Sequence, residues 1–172
     1  MEILKLAQDW ARSEVFSTRF FILFALVFLA ASFGFWHLGK TEIARAYVIP
    51  LLVAGALLLT IGLGLFFTNK NRISQFEKAY HQDTEAFISS EITRAENTLK
   101  EYQTIVFTAI PIIIAICALV VAFVSSPIWR ASMITTIAML VVILLIDGTA
   151  HARINDYYQQ LISLDKTFPQ KP

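Results

Sequence analysis

The chain has 172 residues, of which 56% are hydrophobic and 16% charged, and its formal net charge is +1. Together with a mean hydropathy of +0.62, this excludes an ordinary soluble domain, and the absence of a basic run interleaved with aromatics excludes a nucleic-acid binder. A single cysteine, Cys117, excludes an intramolecular disulfide and a cysteine-based metal site.

The first sixteen residues place Ile3, Leu6, Ala7 and Trp10 on one helical face, with Glu2, Lys5, Asp9 and Arg12 largely elsewhere. That pattern predicts an amphipathic N-terminal helix over 1–16. It lies either on lipid, with Trp10 at headgroup level, or against the rest of the protein. So polar a start is unlike a secretory leader, and the first apolar block is expected to be retained.

Four apolar blocks follow, at 20–38, 46–68, 105–124 and 131–147. Each is near the roughly 20 residues needed to cross a hydrocarbon core of about 30 Å. Ala30 and Gly34 form a small-xxx-small pair in the first, and Gly55, Gly62 and Gly64 lighten the second, both patterns that permit close helix approach in lipid. Pro50 falls in the first turn of the second span, where a missing N–H is tolerated. Pro111, one to two turns into the third, deprives the Phe107 carbonyl of its helical donor and predicts a modest kink.

The interval 69–104 is the one long polar stretch between the two apolar halves. Ile73, Phe76 and Tyr80 continue the second helix beyond the membrane, while Ile88, Ile92, Ala95, Leu99 and Tyr102 form a heptad-like stripe leading into the third. The reversal is expected at His81–Thr84, with Asp83 or Thr84 capping the second arm and Glu85 in its first turn. Glu96 and Lys100 are a favourable i,i+4 pair. After the fourth span, Ile154, Tyr157, Tyr158, Leu161 and Leu164 keep a spacing of three and four, predicting a helix over 148–168 that ends before Pro169.

Orientation follows from the basic residues. Of the 14 Lys and Arg, all but Lys40, Arg45 and Arg130 lie on the side that holds both termini and the 69–104 connector. The positive-inside rule makes that side cytoplasmic in a plasma (inner) membrane. The expected fold is all-α and polytopic, a four-transmembrane-helix bundle with a cytoplasmic helical hairpin extension and amphipathic terminal helices in one membrane domain. Besides the lipid bilayer, its expected partner is a second copy or another protein on the cytoplasmic side.

No set of His, Cys, Asp or Glu has metal-site spacing, and no catalytic or cofactor motif stands out, so neither a cofactor nor enzymatic activity is expected. Asp147 and His151 stand one helical turn apart at the boundary of the fourth span, with Arg153 nearby. Ionisable groups at such depth are functional candidates, but this close to the boundary an ordinary snorkelled or salt-bridged helix end is the favoured account of them. The spans are otherwise free of charge, which argues against an ion-coupled transporter.

Three functional readings result. The first is an interaction protein, either an accessory subunit or an inhibitor or immunity-type factor, acting through its hairpin and span surfaces. Its contact candidates are Ile88, Ile92, Leu99, Tyr102, Tyr157 and Leu161, whose stripe must be covered by the chain's own tail, by a sister copy or by another protein. The second is a homo-oligomeric channel lined by Thr60, Ser132, Thr135 and Thr136. The third is a small transporter or intramembrane enzyme using Asp147 and His151.

Overall fold

The computed structural model of the chain describes residues 2–166. Among them are six α-helices, one π-helical segment and no strand: α1 (Glu2–Leu38), α2 (Glu42–Ala46), α3 (Val48–Gln82), α4 (Thr84–Glu101), the π segment (Tyr102–Ala109), α5 (Ile110–Phe123) and α6 (Pro127–Asp165). The last two residues of the predicted 148–168 helix lie outside the described residues. Four rods, Glu2–Leu38, Glu42–Gln82, Thr84–Phe123 and Pro127–Asp165, are long and apolar enough to cross a membrane. In each, the most apolar stretch is at most 28% buried within the protein, so most of that apolar surface faces outward, which only lipid or another span accommodates.

The rods extend well past the apolar blocks. The 37 residues of α1 reach about 55 Å, uniting the amphipathic start and the first span where the sequence pattern separates them. Ser17 and Thr18, at the junction, are buried, and Thr18 turns its hydroxyl back to the Val15 carbonyl at 2.7 Å, satisfying it without breaking the helix. Between α1 and α3 the chain forms the short α2. Its start is set by Thr41, whose side chain accepts from the Ala44 N–H at 3.2 Å, with Glu42 favourably placed in the first turn.

The chain reverses between α3 and α4 at Asp83 alone, an extended residue with φ −156° and ψ 103°. Its carboxylate caps α4 by accepting from the Ala86 N–H at 3.0 Å. Thr84 donates instead to the Tyr80 carbonyl at 3.0 Å, and Phe87 packs edge-on against Phe76 and Tyr80. Ahead of Pro111 the helix widens into the π segment. Over the π segment the Thr108 hydroxyl reaches the Gln103 carbonyl at 2.8 Å and the Ile110 N–H reaches the Ile105 carbonyl. Both are i→i−5 connections, the arrangement that accommodates a ring clashing with its i−4 carbonyl.

Two cores result. At the apolar end Phe21, Ala25 and Phe28 of α1, Ala54 and Leu58 of α3, and Val142 and Ile146 of α6 pack together. Gly55 and Gly62 let α3 approach α1 closely there. A Cβ on Gly55 would meet Leu29 at 2.8 Å and one on Gly62 would meet Phe21 Cβ at 2.9 Å. Gly64 and Gly34 face open space, so the Ala30–Gly34 pair is not a packing seam within this chain. Ser32 ties the far ends of α1 and α3 by donating to the Val48 carbonyl at 2.7 Å. The α5 helix adds nothing to this core; it packs on α6, where Cys117 is buried.

At the polar end α1, α3, α4 and α6 close into a second core of Ile3, Ala7, Trp10, Ala11, Phe76, Phe87, Ile88, Ala95, Ile154, Tyr157 and Leu161. Fully burying an Ile or Leu, as at Ile3, Ile154 and Leu161, stabilises by about 1.5–3 kcal/mol each.

Candidate functional site

A group of polar and aromatic side chains crosses the polar-end core. Glu91 lies three residues after Ile88 and four before Ala95, so the stripe that buries those two turns its carboxylate inward as well. Arg94, one turn on, meets it with two parallel bonds, Nε to Oε1 at 2.9 Å and Nη2 to Oε2 at 2.6 Å. The Tyr157 hydroxyl, from α6, donates to the same Oε2 at 2.8 Å. Trp10 from α1 stacks on Tyr157 with ring centroids 5.3 Å apart, and the Arg94 guanidinium lies 4.3 Å from the Trp10 ring centre. Three of the four rods are thereby joined around one ion pair, and α3 adds Phe76, whose ring centre lies 5.9 Å from the Arg94 guanidinium.

The electrostatics follow from this packing. Burial, and then the Glu91 charge, push the Tyr157 phenol above its ordinary value, so it stays protonated and keeps donating. Burial opposes the Arg94 charge too, but the bonds to Glu91 outweigh it and hold the guanidinium above its usual value. A second tie lies nearer the apolar end, where Arg153 Nε donates to Glu14 Oε1 at 3.0 Å and Nη2 to Ser17 Oγ at 2.8 Å. Arg72 of α3 differs. Among the described residues it has no ion-pair partner; Nη1 donates to Asn69 Oδ1 at 3.1 Å. Burial, and then the Arg94 charge, pull it below its ordinary value.

Beside these groups lies a cavity of about 320 Å³. Trp10, Asn69, Arg72, Arg94 and Thr98 line its polar part, and Leu65, Ile105 and Val106 line its apolar part. The indole N–H of Trp10 is buried with no hydrogen-bond partner among the described residues. No family model, curated protein or solved structure matches this chain.

The six contact candidates share the polar end. Ile88, Tyr157 and Leu161 are buried, and Ile92, Leu99 and Tyr102 are partly buried against them, so the chain's own α1 and α6 cover the stripe. Tyr102 also lines the cavity, and burial pushes its phenol above its ordinary value. The boundary candidates separate from one another. No hydrogen bond or ion pair joins Asp147 to His151 among the described residues. His151 instead lies edge-on to Phe107 and Tyr102, with ring centroids 5.0 and 5.7 Å away, and Arg153 serves Glu14. Of the hydroxyls considered for a pore, Ser132, Thr135 and Thr136 share a groove between α3 and α6. Thr60 does not line it and donates to the Ala56 carbonyl at 2.9 Å.

Trp10 and Arg94 were not singled out as partners by the sequence. The available signal was Glu91 itself, a carboxylate on an apolar stripe, since a charge turned into a core requires a cation and further donors.

Proposed function

We propose that this chain is a non-catalytic interaction protein of the plasma (inner) membrane, with both termini and the closed polar end on the cytoplasmic side. It acts by lateral association of its spans with a membrane-embedded helix of a partner, a second copy included. The observation that carries this reading is the groove of about 410 Å³ between α3 and α6. Its walls are apolar (Ile49, Val53, Leu57, Ile128, Met139), and three hydroxyls, Ser132, Thr135 and Thr136, lie along it. The Thr135 hydroxyl is buried with no hydrogen-bond partner among the described residues. Spans associate through small and hydroxyl-bearing residues that pack closely and bond across the interface, and a partner helix in the groove supplies the missing bond. The polar end supports the same division of labour, because its apolar stripes are already closed against one another.

A photo-activatable cross-linker placed at Leu57, which lines the groove and is 48% exposed, is expected to give a discrete protein adduct in native membranes. Ser132→Leu, which fills the groove, is expected to remove that adduct, and a cross-linker at the exposed Lys78 is expected to give none. Lipid adducts alone at Leu57, indifferent to Ser132→Leu, overturn the reading. The channel alternative predicts single-channel currents from purified protein in a planar bilayer; their presence would replace the interaction reading.

A further inference from the structure

The cavity beside Arg72 has the features of a built site. At one end Arg72 offers a guanidinium with no ion-pair partner among the described residues, and Arg94, although paired with Glu91, lies close enough to bear on the charge of Arg72. Asn69, which holds Arg72, is buried with 4% of its surface exposed. Trp10, 8% exposed, adds an N–H donor that nothing in the described chain accepts from. A buried donor without an acceptor is costly unless an outside group completes it.

The other end is apolar. Leu65 lies two turns from Arg72 on the same helix, about 10 Å along its axis. Leu65 and Ile105 are 40% and 56% exposed, so the cavity runs out to the lipid-facing surface between α3 and the π segment. No extensive packing between those two elements closes that side. The π segment contributes to the opening, since its widened turns carry Ile105 and Val106, which line the cavity. Cations at one end, apolar walls at the other and an exit at the membrane boundary match a ligand with an anionic head on an acyl chain. Two carboxylates also border the space, Glu14 and Glu101. Glu14 is held by Arg153 and Glu101 is exposed at the rim; Glu91 and Glu14 offset the Arg72 charge only at longer range, and no carboxylate forms an ion pair with it among the described residues.

We propose that this cavity binds the phosphate of an acidic membrane phospholipid, with Arg72 and the Trp10 indole N–H as donors and the first carbons of an acyl chain passing between Leu65 and Ile105. Guanidinium groups suit phosphate geometry, and basic pockets between spans on the cytoplasmic side are where lipid headgroups are recognised. The volume suffices for a headgroup and the first carbons of its chains.

The test uses the purified, delipidated full chain in a neutral detergent, with binding read by native mass spectrometry. Phosphatidylglycerol is expected to bind saturably with one molecule per chain. Arg72→Gln is expected to weaken it about tenfold or more, as for loss of a charge-assisted bond, and Trp10→Phe, which keeps an aromatic ring beside Tyr157 but removes the N–H together with the pyrrole ring, about threefold or more. Lys78→Gln, an equal charge loss on the same helix outside the cavity, is expected to leave it unchanged. Thermal unfolding without lipid checks that Arg72→Gln folds, and Leu65→Trp, which blocks the apolar mouth without touching a charge, repeats the test independently. Equal binding by wild type, Arg72→Gln and Leu65→Trp overturns the proposal. So does inorganic phosphate competing as strongly as the lipid, which would make the ligand a soluble phosphate.

Discussion

At Glu91 the network turns on which partner is removed. Its side chain is 6% exposed and that of Arg94 22%, so neither is well solvated, and removing one charge strands the other. Glu91→Gln keeps an acceptor for Tyr157 but leaves Arg94 uncompensated, and is expected to cost about 2–4 kcal/mol, below the full range for buried pairs because Arg94 retains some solvent. Replacing both, as Glu91→Leu with Arg94→Met, is expected to recover most of that loss, which chemical denaturation in detergent measures. The Tyr157 phenol, raised above its ordinary 10.0, adds a pH signature. Above pH 10 the unfolded phenol loses its proton and the folded one does not, so the unfolded state binds fewer protons and stability falls as pH rises. Below pH 10 this contribution is fully present. Tyr157→Phe is expected to cost about 1 kcal/mol at neutral pH and to flatten the decline above pH 10, read from denaturation midpoints across that range.

Among the helices, how close two may approach depends on which glycines lie at the seam. Gly62 packs where an added Cβ would meet Phe21 Cβ at 2.9 Å, Ile22 Cγ1 at 3.0 Å and the Ile22 backbone nitrogen at 3.2 Å; the first and last of these do not move without shifting α1. Gly62→Ala is therefore expected to destabilise the α1–α3 pair by about 1–3 kcal/mol, whereas Gly64→Ala, facing open space, is expected to change stability by less than about 0.5 kcal/mol. Steric-trap or denaturant unfolding of the two variants in the same bilayer mimic separates them. The pattern of three glycines is plain in the sequence, but their division into two packed and one free is not, because the facing residues, Leu29 for Gly55 and Phe21 for Gly62, lie on α1, 26 and 41 positions away. The same limit explains the rest. Span positions, the reversal near Asp83 and the Glu96–Lys100 pair, seen at 2.8 Å, depend on neighbours within a few residues and are legible locally. The widening before Pro111 is half legible: proline announces a disturbed carbonyl, but how the helix accommodates it, here as a π segment, is not readable from the neighbouring residues alone. The meeting of Trp10, Arg94 and Tyr157 depends on three helices brought together by the whole fold.

For the molecule as a whole, the two cores differ in what sustains them. Both are threaded by α1, α3 and α6, yet the apolar end belongs to the stretches apolar enough to cross a membrane, and in lipid every backbone group must be bonded within its own helix. The polar end depends on burial of its apolar stripes against one another and on the Glu91–Arg94 pair. A core deletion at the polar end should therefore unfold that end alone, as a separate cooperative unit. Leu161, fully buried, is the residue to test; Leu161→Ala is expected to cost about 2–4 kcal/mol. Hydrogen exchange on protein in lipid nanodiscs should then rise across 3–11, 73–99 and 154–161 and stay unchanged across 21–28, 54–62 and 142–146. Ile92 and Leu99, packed on the same core, should behave alike. Changing both to serine is expected to raise exchange at the polar end before it alters any association, because the side chains removed face this chain's own α1 and α6. A uniform rise over both ends would mean that the rods transmit the loss along their length and the two cores fold as one. Exchange confined to the apolar end would mean that lipid stabilises the spans less than the buried ion pair stabilises the polar end.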